Sequence, residues 1–254
     1  MNSVTKAEIL RVLQTGTIQI DGVLPWSSNY TFLVTVAEDE LEIPAVYKPR
    51  RGERPLWDFP TGTLHLREKA AFITSEALGW DLIPPTVVRQ GEYGPGSVQL
   101  FIEHDANQHY FALEGDPSFQ KPLQKMTILD VVINNADRKG GHVIVENKVN
   151  IDNPQDINHP QIWGIDHGIC FHEEYKLRTV IWEFAGEPIP QNILNNLQSF
   201  QYKLRNPESD LNESLIPLLS DNEIAALKQR VDRLIAGCIF PNPGPGRHYP
   251  WPPV

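Results

Sequence analysis

The sequence predicts an α+β fold in two lobes, with an antiparallel sheet in residues 1–103 and a mostly helical body in residues 104–254. Three observations carry this expectation. A short apolar strand, Glu42 to Pro49, contains a lysine near its end, Lys48, and about twenty residues later Arg67-Glu68-Lys69-Ala70-Ala71-Phe72 opens a helical pattern. Two acidic motifs follow in the second half. NNADRKGGHVIV, Asn134 to Val145, sets Asp137 just after a helix-like run, and IWGIDHGICF, Ile162 to Phe171, sets Asp166 just after a strand-like run. At 254 residues the chain can bury a full core, as one domain or as two small lobes around a cleft.

The elements follow in order. Thr5 and Glu8 form a capping box ahead of Ile9, Leu10, Val12 and Leu13, and Gly16 ends that first helix. Strands are expected at Thr17 to Ile20 and Thr31 to Val36, joined through a segment in which Ser27-Ser28-Asn29 makes a small-residue turn able to bring backbone N–H groups to phosphate. After the Lys48 strand comes a long loop, Arg50 to Leu66. Its large apolar residues, among them Leu56, Trp57 and Phe59, suit a cleft wall better than water. A helix from Leu66 to Leu78 stops at Gly79, and strands follow at Pro85 to Arg89 and Gly96 to Ile102. The polar stretch His104 to Gln120 reads as the connector between lobes. Leu123, Met126, Leu129 and Ile133 then share one helical face and lead into the Asp137 loop. Strands Val143 to Val145 and Gln161 to Ile165 read as a hairpin interrupted by the polar insert Glu146 to Gln161. Helices are expected at Gln191 to Leu204 and Asn222 to Cys238, the second opened by a Ser220/Glu223 capping box. The Pro- and Gly-dense tail from Phe240 should be extended, pinned to the body by Tyr249 and Trp251.

The ordered set Lys48, Glu68, Asp137 and Asp166 is the layout of a kinase-type phosphotransfer site. In such a site a strand lysine, held by a helix glutamate, contacts the α/β phosphates of ATP. One aspartate orients the attacking hydroxyl, and a second holds the divalent ion that bridges the phosphates. The dense basic run Lys48-Pro49-Arg50-Arg51-Gly52-Glu53-Arg54 begins at this lysine and can attract phosphate.

NNADRKGG followed by GIDHGICF resembles the catalytic and metal-binding segments of type II phosphatidylinositol 4-kinases and their bacterial relatives. The wider phosphatidylinositol 3-/4-kinase-related superfamily, HipA-like kinases included, shares this plan. The resemblance covers roughly Leu24 to Phe184, and the motifs agree closely only around Lys48, Glu68, Asp137 and Asp166. It implies a two-lobed protein-kinase-like fold and an ATP-dependent phosphotransferase using Mg²⁺ or Mn²⁺. Lys48, Glu68 and Asp137 would do the chemistry, Asp166 would hold metal, and Leu100, Phe101, Ile102 and Glu103 would form the adenine-contacting hinge. One departure matters. Five residues after the catalytic aspartate kinases place a metal-binding asparagine, where this chain has His142. Imidazole suits manganese and zinc better than magnesium, so His142 either shifts metal preference, leaves a one-metal site or marks a weakened enzyme; alternatively it caps the following strand.

Two other functions deserve weighing. A noncatalytic nucleotide-binding pseudokinase would account for His142. A metal-dependent phosphohydrolase could be assembled from Asp137, His142, Asp166, His167 and His172, but it leaves Lys48 and Glu68 without a role. Net charge −10 disfavours nucleic acid and anionic membranes as partners, and the sequence offers no stretch for stable membrane insertion. Cys170 and Cys238 sit in apolar patterns and read as buried thiols of a cytoplasmic protein. The expected partners are ATP and a protein or small-molecule acceptor. Whether phosphoryl or AMP is transferred stays open.

Overall fold

The computed structural model describes residues 4–24, 30–146 and 161–254. Helix α1 (Lys6–Thr15) carries the expected capping box: Thr5 Oγ1 accepts the Glu8 N–H at 3.2 Å and Glu8 Oε2 accepts the Thr5 N–H at 2.8 Å. Strands β1 (Thr17–Val23), β2 (Phe32–Glu38) and β3 (Leu41–Pro49) follow, then α2 (Leu64–Leu78), β4 (Thr86–Gly91) and β5 (Gly94–Leu100). The five strands form one antiparallel sheet in the order β1-β2-β3-β5-β4. Side chains alternate across a strand, so Ile43, Ala45 and Tyr47 of β3 pack with Val34, Val36 and Val98 beneath Val12 and Leu13 of α1. Val46 and Lys48 therefore face the other way. That period of two is what aims Lys48 into the cleft.

The second half contains β6 (His104–His109), α3 (Tyr110–Leu113), α4 (Gln120–Ile133), β7 (Val143–Glu146), β8 (Ile162–Gly164), α5 (Gln191–Arg205), α6 (Asp210–Leu215) and α7 (Asp221–Gly237). β7 and β8 pair antiparallel as the expected hairpin, and β6 adds a third strand beside β7. The larger hydrophobic cluster joins Ala70, Ala71 and Phe72 of α2 to Met126, Leu129 and Ile133 of α4, Leu197 and Phe200 of α5, and Leu227, Val231 and Leu234 of α7. Each fully buried large apolar side chain here contributes about 1.5–3 kcal/mol over an exposed one. Together they fix α4, whose C-terminal end carries the Asp137 loop.

Several expectations are corrected. The stretch from His104 is no bare connector, because 104–109 forms the edge strand β6 and 110–113 a helical turn. An edge strand can be polar on both faces and so shows no alternation to read. Cys238 is exposed, since it caps α7 in the left-handed conformation at φ 53° and lies beyond the buried stripe, whereas Cys170 is buried. The tail is pinned, but not by Tyr249 or Trp251, which stay 48% and 78% exposed. Its anchors are Phe240, buried completely, and two carbonyls: His248 O accepts the Thr179 N–H at 3.1 Å, and Pro253 O accepts the Gly140 N–H at 2.7 Å. Trp57 also stays in solvent at 93% exposure, although the Lys176 ammonium lies 5.3 Å over its ring.

Candidate active site

Four elements converge on one cleft of about 170 Å³ whose wall includes Tyr30, Lys48, Glu68, Asp137, Asp166 and Gly168. From β3, Lys48 Nζ reaches Glu68 Oε1 of α2 at 2.5 Å and Asp166 Oδ1 at 2.9 Å. Burial pulls the ammonium pKa down, but Asp166 and Glu68 outweigh it and raise it above its ordinary value. The Lys48 charge in turn holds the Asp166 carboxyl well below the usual carboxylate range. Glu68 is itself buried, and its other oxygen accepts the His167 backbone N–H at 2.9 Å. The strand lysine, the helix glutamate and the turn after β8 are thus one charged unit.

Asp137 arrives by a different route. α4 ends at Asn134, in the left-handed region at φ 52°, whose amide donates to the carbonyls of His172 and Glu174 at 2.9 and 2.7 Å. Asn135 then braces the turn: its Oδ1 accepts the Asp137 N–H and its Nδ2 donates to Asp130 Oδ1, both at 3.0 Å. The Asp137 carboxylate lies 3.3 Å from Lys139 Nζ. Burial, reinforced by the Asp166 charge, pushes its pKa up to about 6 against the pull of Lys139.

Beneath both aspartates lies a buried ion pair that the sequence reading missed. Arg138 Nε and Nη2 grip the Asp130 carboxylate at 2.9–3.1 Å, Nη1 donates to the carbonyls of His142 and Ile165, and Nη2 meets His167 Nε2 at 2.6 Å. Gly164 leaves the room for it, because a Cβ there would stand 3.1 Å from Arg138 Nη2 and 3.0 Å from the Met126 sulfur. One guanidinium therefore ties α4, the Asp137 loop and the Asp166 turn. An aspartate in the middle of the apolar run Met126 to Ile133 was the available signal, since such a charge needs a buried partner. Asp130→Ala would leave Arg138 buried without its counter-charge and should cost about 3–5 kcal/mol of stability. A denaturation midpoint unchanged from the wild type would refute this.

His142 Nδ1 lies 2.9 Å from the Asp137 carbonyl, which can only accept, so the ring proton sits on Nδ1. Burial drives the ring's pKa down to about 4, so the imidazole is neutral and its Nε2 lone pair faces Asp166 Oδ2 at 3.4 Å. His167 and His172 are committed elsewhere, to Arg138 and to the Asp58 carbonyl. Leu100 to Glu103 lie where β5 leaves the sheet: Leu100 pairs with Ala45 of β3, and the Phe101 N–H donates to the Pro44 carbonyl at 2.9 Å. Ser27, Ser28 and Asn29 fall outside the described residues.

A family model described as phosphatidylinositol 3- and 4-kinase matches residues 85–209, a span containing Asp137 and Asp166. Protein Rv2133c of Mycobacterium tuberculosis (strain ATCC 25618 / H37Rv) is 35% identical over 278 residues, covering 95% of this chain and 94% of its own length. Phosphatidylinositol 4-kinase gamma 4 of Oryza sativa subsp. japonica is 31% identical over 141 residues, 48% of this chain but only 23% of the rice protein. Among solved structures, the Golgi casein kinase with Mn/ADP bound superposes with a TM-score of 0.60 at 18% identity, over 91% of this chain and 74% of its own. Hydra Fam20 with sugar superposes with a TM-score of 0.54 at 15% identity, over 91% and 88%. The α+β fold is thus protein-kinase-like, and the chain belongs to the phosphatidylinositol 3-/4-kinase-related superfamily.

Proposed function

We propose that this chain is an ATP-dependent phosphotransferase acting on a hydroxyl of a protein or small molecule. The observation that carries the reading is the Lys48–Glu68–Asp166 unit closing on the cleft that Asp137 also lines. In this reading Lys48 meets the α/β phosphates while Glu68 holds it in place, and the backbone of Leu100 to Glu103 receives the adenine. Asp137 accepts the hydrogen bond of the attacking hydroxyl and takes its proton. Residues 1–103 and 104–254 act as the two lobes around the nucleotide. The free thiols suit a reducing cytoplasm, and among the described residues no helix is long and apolar enough to cross a membrane.

The donor set fits a divalent ion. A neutral imidazole lone pair and an ionised carboxylate oxygen 3.4 Å apart repel each other unless a cation lies between them, and 49% of the Asp166 side chain stays accessible. Among the described residues no three His, Cys, Asp or Glu side chains cluster as ligands, so phosphate oxygens would complete the shell. A bound ion there would neutralise phosphate charge, and Asp166 with His142 would hold it.

An imidazole in the shell favours the softer ion, so turnover should be faster with Mn²⁺ than with Mg²⁺, and His142→Asn should move the preference back toward Mg²⁺. Initial rates in each metal at matched nucleotide and at neutral pH measure it. A ratio that does not change on substitution takes His142 out of the shell. For the activity itself, ATP labelled at the γ or at the α position is incubated with the protein and cell lysate. Transfer of γ label supports the reading, whereas transfer of α label replaces it with AMP transfer.

A further inference from the structure

Helix α2 lies among the strands in sequence, yet its buried apolar side chains pack elsewhere. Ala70, Ala71, Phe72 and Leu78 belong to the cluster built from α4, α5 and α7, whereas the sheet shares a separate cluster with α1. The turn after β8 comes close against the same helix: a Cβ at Gly168 would stand 3.4 Å from Leu64 Cβ and 3.8 Å from Glu68 Oε1. The wall that presents Glu68 to Lys48 is therefore continuous with the helical body.

A buried charge that the transfer chemistry does not use makes this attachment. Arg67 is only 1% exposed, and each of its guanidinium nitrogens has a partner. Nη1 donates to the Cys170 carbonyl at 2.7 Å, Nη2 donates to Glu223 Oε1 at the start of α7, and Nε lies 3.4 Å from Thr63 Oγ1. The Phe59 ring lies 4.9 Å from the guanidinium carbon. Glu223 is buried too, and its other oxygen caps α7 by accepting the Ser220 N–H at 2.9 Å. Neighbouring residues of α2 thus grip the segment after Asp166 at both ends: Glu68 accepts the His167 N–H at 2.9 Å, and Arg67 donates to the Cys170 carbonyl. Successive side chains leave a helix about 100° apart, so two such contacts fix both the rotation of α2 and its height against that segment.

We propose that Arg67 is a positioning residue for phosphoryl transfer: by clamping α2 to Cys170 and Glu223 it sets the rotation of the helix at which Glu68 meets Lys48. The inference rests on the phosphotransferase reading above. A buried ion pair is often no more stabilising than apolar side chains of the same volume, so the property this one supplies is geometry. Without the clamp α2 is free to turn, Glu68 leaves Lys48, and the ammonium keeps only Asp166. Transfer then slows, because a small misplacement of a group that meets the phosphates is costly even when the change lies outside the cleft.

The test is a double-mutant cycle on the full chain, read as transfer of γ label from ATP to cell lysate per folded protein, with Arg67→Met, Glu68→Gln and the two combined. Arg67→Met alone should lower transfer about tenfold or more. Because Arg67 acts through Glu68, adding it to Glu68→Gln should lower transfer by less than about twofold further. The urea midpoint should fall with Arg67→Met on both backgrounds, which separates positioning from folding. Glu223→Gln keeps the cap on Ser220 and removes only the charge, so it takes the place of Arg67→Met in the cycle if that variant does not fold. Losses in transfer that multiply across the cycle overturn the inference, as does a clamp variant that transfers label at the wild-type rate. A wild type that transfers no label sinks the phosphotransferase reading and this inference with it.

Discussion

Asp166→Ala should abolish metal-dependent ATP binding and lower turnover by ~10³-fold or more, the scale expected when a group that holds charge at a transferring phosphoryl is removed. The substitution deletes the carboxylate that faces Lys48 at 2.9 Å on one oxygen and the His142 lone pair at 3.4 Å on the other. The fold should survive it. Asp166 is accessible over 49% of its side chain, and the brace beneath it is the Asp130–Arg138 pair, which the substitution leaves intact. Its φ of 59° lies in the left-handed region, where aspartate is more at ease than alanine, so a modest loss of stability is expected. Calorimetric titration of ATP in Mg²⁺ and Mn²⁺, beside ADP formation, reads the effect. Wild-type affinity and turnover in a folded Asp166→Ala protein would remove Asp166 from the phosphate site.

The sequence made Lys48, Asp137 and Asp166 legible because each is a charge set at or near the end of an apolar run, and Glu68 because it opens a helical pattern, and such patterns are visible as periodicity. The structure brings all four to one cleft. The longer helices α1, α2, α4, α5 and α7 were legible for the same reason, helped at α1 and α7 by capping boxes whose reciprocal hydrogen bonds are present. What stayed hidden depends on partners remote in sequence. Arg138 follows Asp137 directly, yet its role emerges only when Asp130, Ile165 and His167 fold around it. The loop from Arg50 to Gly62 has no periodicity at all. Its shape comes from contacts such as Glu53 with His65, Asp58 with Lys176 at 3.0 Å and Phe59 beneath the Arg67 guanidinium. β6 escaped detection because a polar edge strand pairs through its backbone, and α6 because six residues are too few to show a period.

Asp137→Asn should leave ATP binding largely intact and lower turnover by about a hundredfold or more, because the group acts on the incoming hydroxyl and not on the nucleotide. The substitution keeps the shape and the backbone turn held by Asn135, and removes the charge that faces Lys139 together with the ability to take a proton. Stability should move the opposite way. Burial raises the Asp137 pKa to about 6 in the folded protein, so keeping it ionised at neutral pH costs folding free energy on the order of 2–3 kcal/mol. Because this is a carboxylate whose folded pKa is raised, that cost is complete above about pH 6 and disappears as pH falls below the unfolded value near 3.8. Asp137→Asn should therefore be at least as stable as the wild type at pH 7, with the advantage fading toward pH 4. Wild-type turnover should fall as pH drops through about 6, where the carboxylate takes up its proton, although ATP binding persists. Urea denaturation at pH 7 and pH 4, set beside pH–rate profiles, measures both halves. A variant that loses ATP affinity and turnover in equal measure would make Asp137 a part of the phosphate site, and a general base would have to be sought elsewhere in the cleft.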